Sequence, residues 1–144
     1  MSVQLRPFTA DDYARAFALW ETTDGIGLSE ADRPTAIASY LERNPRTSFV
    51  AIDGDRLIGT ILCGHDGRRG FIYHFAVAAS HRRRGIGKAL LRAALLALRT
   101  EGIDKCHLTV FRSNPDGTAF WRSLHMQERT DLTLFSCLTD HPLG

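Results

Sequence analysis

Apolar side chains recur every three or four residues in four stretches of the chain, which is the spacing of one helix face. The pattern predicts helices over about 10–22, 31–42, 86–102 and 115–124. Thr9 is placed to cap the first helix, with Asp12 at capping-box spacing. Asn114 and Pro115 suit the start of the fourth helix, and Gly102 suits the end of the third.

Shorter stretches rich in β-branched and aromatic residues predict strands between these helices. They cover 3–6, 48–52, 57–63, 71–77, 106–111 and 130–138. The second, third and fourth strands are joined by turns so short, one of them Asp53-Gly54, that they must form an antiparallel meander. The strand–helix–strand unit over 71–111 should be a right-handed parallel crossover. The sequence therefore predicts an α/β fold with an α+β mixed sheet, in a single domain over 1–144.

A basic glycine loop joins the fourth strand to the third helix. Residues 82–88 read Arg-Arg-Arg-Gly-Ile-Gly-Lys. Gly85 and Gly87 let backbone N–H groups approach an anion closely, and the helix start adds unpaired N–H donors and a partial positive charge. In the order strand, loop, helix, this favours a phosphate or pyrophosphate site over the alternative, a solvated basic surface loop.

Composition and charge narrow the class of protein. The 144 residues are 44% hydrophobic and 24% charged, as expected of one globular domain. A net charge of +2 is too small for a general nucleic-acid binder, and no apolar run is long enough to span a bilayer. The N-terminus lacks an apolar signal core, the three cysteines are far apart, and the histidines show no metal-ligand spacing. We therefore expect a cytoplasmic protein that uses no metal and binds neither nucleic acid nor membrane.

The glycine loop and its context resemble a known motif. Val77, four further residues and then Arg82-x-x-Gly85-x-Gly87 are similar to the acyl-CoA-binding motif of the GNAT superfamily of N-acyltransferases. The order of predicted elements also resembles the whole GNAT fold, in which the crossover strands splay apart and the acyl carrier enters the gap. The chain departs from the family pattern over 124–126, where Leu-His-Met stands in place of Leu-Gly and an aromatic residue.

This resemblance implies acetyl-CoA as co-substrate and assigns residues to it. The backbone of the fourth strand should pair with the pantetheine arm at Phe75, Ala76 and Val77. The pyrophosphate should be held by Arg82, Arg83, Arg84, Gly85, Ile86, Gly87 and Lys88. A glycine is usual in the family at the position of Arg83, so we expect Arg83 to keep a negative φ. Asn114, besides capping a helix, aligns with a family asparagine that contacts the acyl carrier.

The proton-handling residues of the family are missing from their usual places. A tyrosine seven residues beyond the asparagine commonly protonates the leaving thiolate, and here that position is Trp121, whose indole is not a usable acid. A glutamate five residues before the asparagine sometimes acts as base, and here that position is Thr109. Neither role transfers. We expect Trp121 to belong to the core and to line the pantetheine channel.

Tyr73 and His74 are the candidate catalytic residues that remain. Neighbouring residues of a strand point to opposite faces, so only one of the two should face the cleft. Tyr73 shares its parity with Val77 and is preferred. His74 has the better ordinary pKa for a base, although a buried, hydrogen-bonded histidine is the competing interpretation.

These features predict an N-acetyltransferase in which an amine attacks acetyl-CoA directly in a ternary complex. The alternative is a non-catalytic acyl-CoA-binding or sensory module of the same fold. The acceptor is a small-molecule or peptide amine, and Asp24, Glu30 and Asp32 hint at a cationic one, although Ser29 or Asp32 could equally cap the second helix. The strand over 132–135 could lie at a sheet edge and pair with a second subunit in a homodimer.

Overall fold

The structure, a computed structural model, describes residues 2–144. Within them, the strands are β1 (Val3–Pro7), β2 (Phe49–Asp53), β3 (Arg56–His65), β4 (Gly70–Val77) and β5 (Cys106–Leu108). The α-helices are α1 (Tyr13–Glu21), α2 (Pro34–Arg43), α3 (Ile86–Thr100) and α4 (Pro115–Ser123). Short 3-10 turns at Ala10–Asp12, Glu30–Asp32 and Ala79–His81 precede α1, α2 and the glycine loop. The four predicted helices and the first five predicted strands are present, with ends displaced by a few residues.

The strands form one sheet in the order β1-β2-β3-β4-β5. The pairs from β1 to β4 are antiparallel, and β4 pairs with β5 in parallel. The predicted fold class, a mixed α/β sheet with one parallel crossover, is therefore confirmed. Of the helices within residues 2–144, none combines the length and the apolar character needed to span a bilayer.

Helices cover both faces of this sheet. On the first face, Trp20 of α1 and Leu41 of α2 are buried with Leu62 of β3. On the second face, Leu90 of α3 is buried with Ile61 of β3. Eight consecutive residues of β3 are buried as a result. Each fully buried apolar side chain stabilises the fold by about 1.5–3 kcal/mol. The packed sheet therefore holds the elements at its edge in fixed positions.

The predicted sixth strand is not formed, and that prediction is wrong. Residues 130–138 have no strand conformation, and Leu134 and Phe135 are 76% and 88% exposed. A strand needs a neighbour to satisfy its N–H and C=O groups, and β5, at the sheet edge, is only three residues long. The homodimer expected through 132–135 therefore stays a prediction.

Candidate active site

A cleft opens where β4 and β5 separate. The two strands pair only over Gly70–Ile72 and Cys106–Leu108 and then diverge. The cleft between them has a volume of about 500 Å³. Its walls come from β4, the segment after β5, α4 and the loop between α1 and α2. The splayed strands that the resemblance implies are thus present at the expected place.

The loop between α1 and α2 forms one wall of the cleft and packs against the segment after β5. Gly25 has a φ of 87°, and a Cβ on it would overlap the amide of Asn114. A Cβ on Gly27 would lie 2.8 Å from the ring of Phe111. Two glycines therefore allow this loop to touch the segment that follows β5, and Asp24 beside them lines the cleft.

The glycine loop turns the chain from β4 into α3 through two left-handed residues. Gly85 is the N-cap of α3, with φ 78°, and Arg83 has φ 64°. The prediction of a negative φ at Arg83 is therefore wrong. Arginine occupies the left-handed region there at a cost of about 1–2 kcal/mol. Turns of this kind direct successive N–H groups to one side, which suits an anion.

The start of α3 supplies the donors. The first intrahelical bond runs from the Ala89 N–H to the Gly85 carbonyl at 3.0 Å. The N–H groups of Ile86, Gly87 and Lys88 come before it and are the orphan donors of a helix start. No acidic residue stands in this first turn, so the site keeps its positive potential. These residues fit the pyrophosphate of CoA.

Gly87 has a different role from Gly85. A Cβ on Gly87 would lie 2.9 Å from the ring of Phe75, so the missing side chain lets α3 approach β4. The Nε of Arg82 donates to the Val77 carbonyl at 3.1 Å, which ties the loop to the end of β4. Of the three arginines, Arg82 is therefore engaged in holding the loop.

Aromatic residues form the wall between the glycine loop and the cleft. Phe75 lies 5.3 Å from Phe120 and 5.1 Å from Trp121, centroid to centroid. Trp121 packs against the core and also lines the cleft. The side chain of Asn114 accepts the Gly117 N–H at 3.0 Å as the N-cap of α4, and Asn114 lines the cleft as well. Ala76 is buried on the α1 and α2 face of the sheet, so only its backbone can reach a ligand.

A β-bulge interrupts β4 at His74. Leu62 of β3 is opposite Tyr73, and Thr60 is opposite Ala76. Two residues of β4 therefore face one residue of β3, which is the definition of a bulge. His74 has a φ of 41°, an uncommon value for a residue with a side chain.

The bulge overturns the alternation argument for the two candidate catalytic residues. The ring of Tyr73 lies 6.1 Å from that of Tyr40, and the ring of His74 lies 4.6 Å from that of Trp20, so both lie on the α1 and α2 face. Both residues line the cleft. The premise that the two side chains point to opposite faces of the sheet is therefore wrong. The shared parity of Tyr73 and Val77 is also wrong, because Val77 packs on the α3 face.

A buried network holds His74. Its Nε2 lies 2.6 Å from Oδ1 of Asp32, which is 6% exposed. The Trp20 indole N–H donates to the Thr60 hydroxyl at 2.9 Å, and that hydroxyl donates to the His74 carbonyl at 2.8 Å. The sequence suggested Asp32 only as a helix cap or a loop acid. Neither Ser29 nor Asp32 caps α2, whose N-cap is Arg33. Ser29 instead caps the 3-10 turn Glu30–Asp32, where its N–H donates to Asp32 at 2.9 Å, and this local pattern gave no sign of the histidine.

The fold and the site can be compared with those of known proteins. The acetyltransferase (GNAT) family pattern matches residues 11–126. An acetyltransferase of Photorhabdus laumondii is 30% identical over 127 residues, which cover 88% of each chain. The chain therefore belongs to the GNAT family of acetyltransferases and is an acyltransferase by class.

Solved structures agree on the fold. PaiA N-acetyltransferase from Thermoplasma acidophilum, solved in complex with coenzyme A, superimposes with a TM-score of 0.74 at 20% identity, over 86% of this chain and 89% of that one. Diaminobutyrate acetyltransferase EctA from Paenibacillus lautus, solved with L-2,4-diaminobutyric acid and coenzyme A, gives 0.71 at 24% identity, over 85% and 74%.

Proposed function

We propose that the protein is an N-acetyltransferase that moves an acetyl group from acetyl-CoA to an amine by direct attack in a ternary complex. The observation that carries this proposal is the cleft between the separated strands. It leads from Phe75, which lies beside Gly87 at the start of α3, to the loop between α1 and α2. We place the pyrophosphate at the glycine loop, beside one end of this cavity, and the acceptor at the other end.

Acetyl-CoA, when bound, supplies the acyl thioester. The N–H groups of residues 86–88 and the turn through Arg83 and Gly85 would hold its pyrophosphate. A charge-assisted hydrogen bond from Arg84 or Lys88 would add about 1.5–3 kcal/mol. Trp121 and Asn114 would line the channel for its pantetheine arm.

The backbone of β4 has free hydrogen-bonding groups along the cleft. Beyond Ile72, the edge of β4 that faces β5 has no ladder partner within residues 2–144. Phe75, Ala76 and Val77 would pair there with the pantetheine arm as a short added strand. One backbone N–H from 73–77 would also stabilise the negative charge that develops on the acyl oxygen.

A small-molecule amine fits the acceptor side best. The cleft of about 500 Å³ lies within the range of small-ligand sites, roughly 300–1,000 Å³. It must also hold the pantetheine arm, so the room left for the acceptor suits a small amine. Asp24 on its wall favours a cationic group, although Arg112 lines the same cleft. The diaminobutyric acid bound by EctA is an amine of this size class. Tyr73 and His74, which line the cleft, are the candidate groups for moving protons.

A thiol-release assay tests the proposal. Acetyl-CoA is incubated with polyamines, amino acids, lysine peptides and peptides with a free N-terminus, and free CoA thiol is measured against a control without amine. We expect release with at least one small amine and an acetylated product by mass. Binding of acetyl-CoA without release for any amine would instead favour the acyl-CoA-binding module.

A further inference from the structure

His74 and Asp32 form a pair that leaves one ring nitrogen of His74 without a hydrogen bond. Nε2 of His74 is 2.6 Å from Oδ1 of Asp32. Nδ1 makes no hydrogen bond within residues 2–144. It is not fully buried either, because the Tyr40 hydroxyl is the one buried side-chain nitrogen or oxygen in these residues that lacks a hydrogen-bond partner. The cavity that His74 lines is the cleft. Nδ1 is therefore an unpaired, accessible nitrogen on a residue that lines the cleft.

Asp32 determines which nitrogen carries the proton. Its second oxygen, Oδ2, accepts the Ser29 N–H at 2.9 Å. An ionised carboxylate only accepts hydrogen bonds, so the neutral imidazole must present Nε2–H to it. The lone pair then lies on Nδ1, the nitrogen without a hydrogen-bond partner. A lone pair in this position is what a proton acceptor needs.

The backbone fixes this orientation at a cost. A φ of 41° at His74 is unfavourable for a residue with a Cβ. The hydroxyl of Thr60 holds the His74 carbonyl at 2.8 Å, and the Trp20 ring lies 4.6 Å from the imidazole. Backbone strain that the surrounding packing maintains is typical of functional positions.

We propose that Nδ1 of His74 accepts the proton that the acceptor ammonium loses, and that Asp32 is the positioning residue that holds the imidazole. This inference rests on the proposed function. The proton must be removed because an alkylammonium has a pKa near about 10.4 in water. The amine nitrogen then bonds to the acyl carbon, and the carbon–sulfur bond breaks. The sulfur takes the second proton of the amine, and His74 passes the first to solvent.

Other charged or titratable groups surround the pair without bonding to the imidazole. Asp24 and Arg112 line the cleft, and Tyr73 precedes His74 on β4. Arg33 lines a neighbouring cavity with Asp32. The Tyr13 hydroxyl from α1 donates to the Asp32 main-chain carbonyl rather than to its carboxylate. Asp32 is therefore the group that sets the tautomer.

Asp32→Asn is the central test. The amide oxygen can still accept the Ser29 N–H, but its NH₂ then faces Nε2 and drives the ring proton to Nδ1. We expect turnover to fall by about 10²-fold or more, with KM for acetyl-CoA unchanged. Nitrogen-15 NMR of the imidazole in the ligand-free protein should place the proton on Nε2 in the wild type and on Nδ1 in the variant.

Two further variants separate chemistry from folding. His74→Gly keeps the left-handed backbone without strain, and added imidazole should restore part of its turnover. Glu101→Gln is the matched control, because it makes the same carboxylate-to-amide change in a second histidine–carboxylate pair, with His65 at 2.9 Å, that does not line the cleft. It should leave turnover and its pH profile unchanged.

The outcomes discriminate between the two proposals. An active wild type with Asp32→Asn equally active and the ring proton unmoved overturns this inference alone. An acid-side break in the pH profile that persists in His74→Gly, with a larger loss in Tyr73→Phe, gives the role to Tyr73 and overturns it too. A wild type that releases no thiol with any amine overturns the proposed function and this inference together.

Discussion

Replacing Gly85 by alanine tests whether the left-handed N-cap of α3 presents the amides that we propose bind pyrophosphate. Gly85 has φ 78°, and nothing lies within 4 Å of the place where a Cβ would stand. The substitution therefore adds backbone strain without a steric clash. The left-handed conformation costs an L-residue about 1–2 kcal/mol.

That penalty is divided between folding and binding. If the loop keeps its shape, the free energy of unfolding falls by the whole of about 1–2 kcal/mol. If the loop relaxes in the free protein, acetyl-CoA must restore it, and Kd rises by up to about 5- to 30-fold. The loss of unfolding free energy and the loss of binding free energy should together equal the cost of the left-handed conformation. We expect the larger share in binding, because residues 82–85 are exposed and few contacts hold them.

Gly102→Ala is the matched control. Gly102 follows the other end of the same helix, with φ 85° and open space around it. Both substitutions replace glycine by alanine, so they have the same effect on the unfolded chain. Because Gly102 lies away from the glycine loop, its strain should lower only the free energy of unfolding and leave Kd unchanged. Calorimetric titration with acetyl-CoA gives Kd, and urea unfolding followed by tryptophan fluorescence gives the stability.

Two results would refute this reasoning. Wild-type affinity together with wild-type stability in Gly85→Ala would mean that the left-handed conformation is not required. Equal loss of affinity in Gly102→Ala would mean that the effect is spread through α3 rather than located at the anion site.

Two further predictions follow from the loop and from the start of α1. Gly87→Val should weaken acetyl-CoA binding more than Arg84→Ala does. A Cβ at Gly87 would lie 2.9 Å from Phe75, whereas neighbouring cations can replace the charge of one exposed arginine. A larger rise of Kd in Arg84→Ala would contradict this. Burial raises the pKa of the Asp12 carboxyl, but hydrogen bonds, first from Arg6, outweigh it and hold the pKa below its ordinary value. Asp12 therefore stabilises the fold above about pH 4, and this contribution is lost as the pH falls further. In urea unfolding, the destabilisation caused by Asp12→Asn should shrink as the pH falls. A destabilisation that does not change with pH would count against the ion pair.

Local signals in the sequence determined several helix ends and the position of the glycine loop. The N–H of Thr9 donates to Asp12 at 2.9 Å, and Asn114 caps α4, because capping involves groups only three residues apart. The glycine loop could be placed for the same reason, since the strand before it and the helix after it adjoin it in the chain. The order of elements then selected the fold.

The tertiary structure decided the catalytic side of the cleft. The strand alternation that favoured Tyr73 over His74 fails at the bulge, whose position depends on how β4 is matched to β3. Asp32 and His74 are 42 residues apart, and no local pattern links an acid in a 3-10 turn to a histidine in a strand. The same reason explains residues 130–138, where alternating apolar residues predict a strand but the sheet offers no adequate partner. Secondary structure follows from neighbours in the chain, whereas register, bulges and long-range pairs follow from packing that only the complete fold provides.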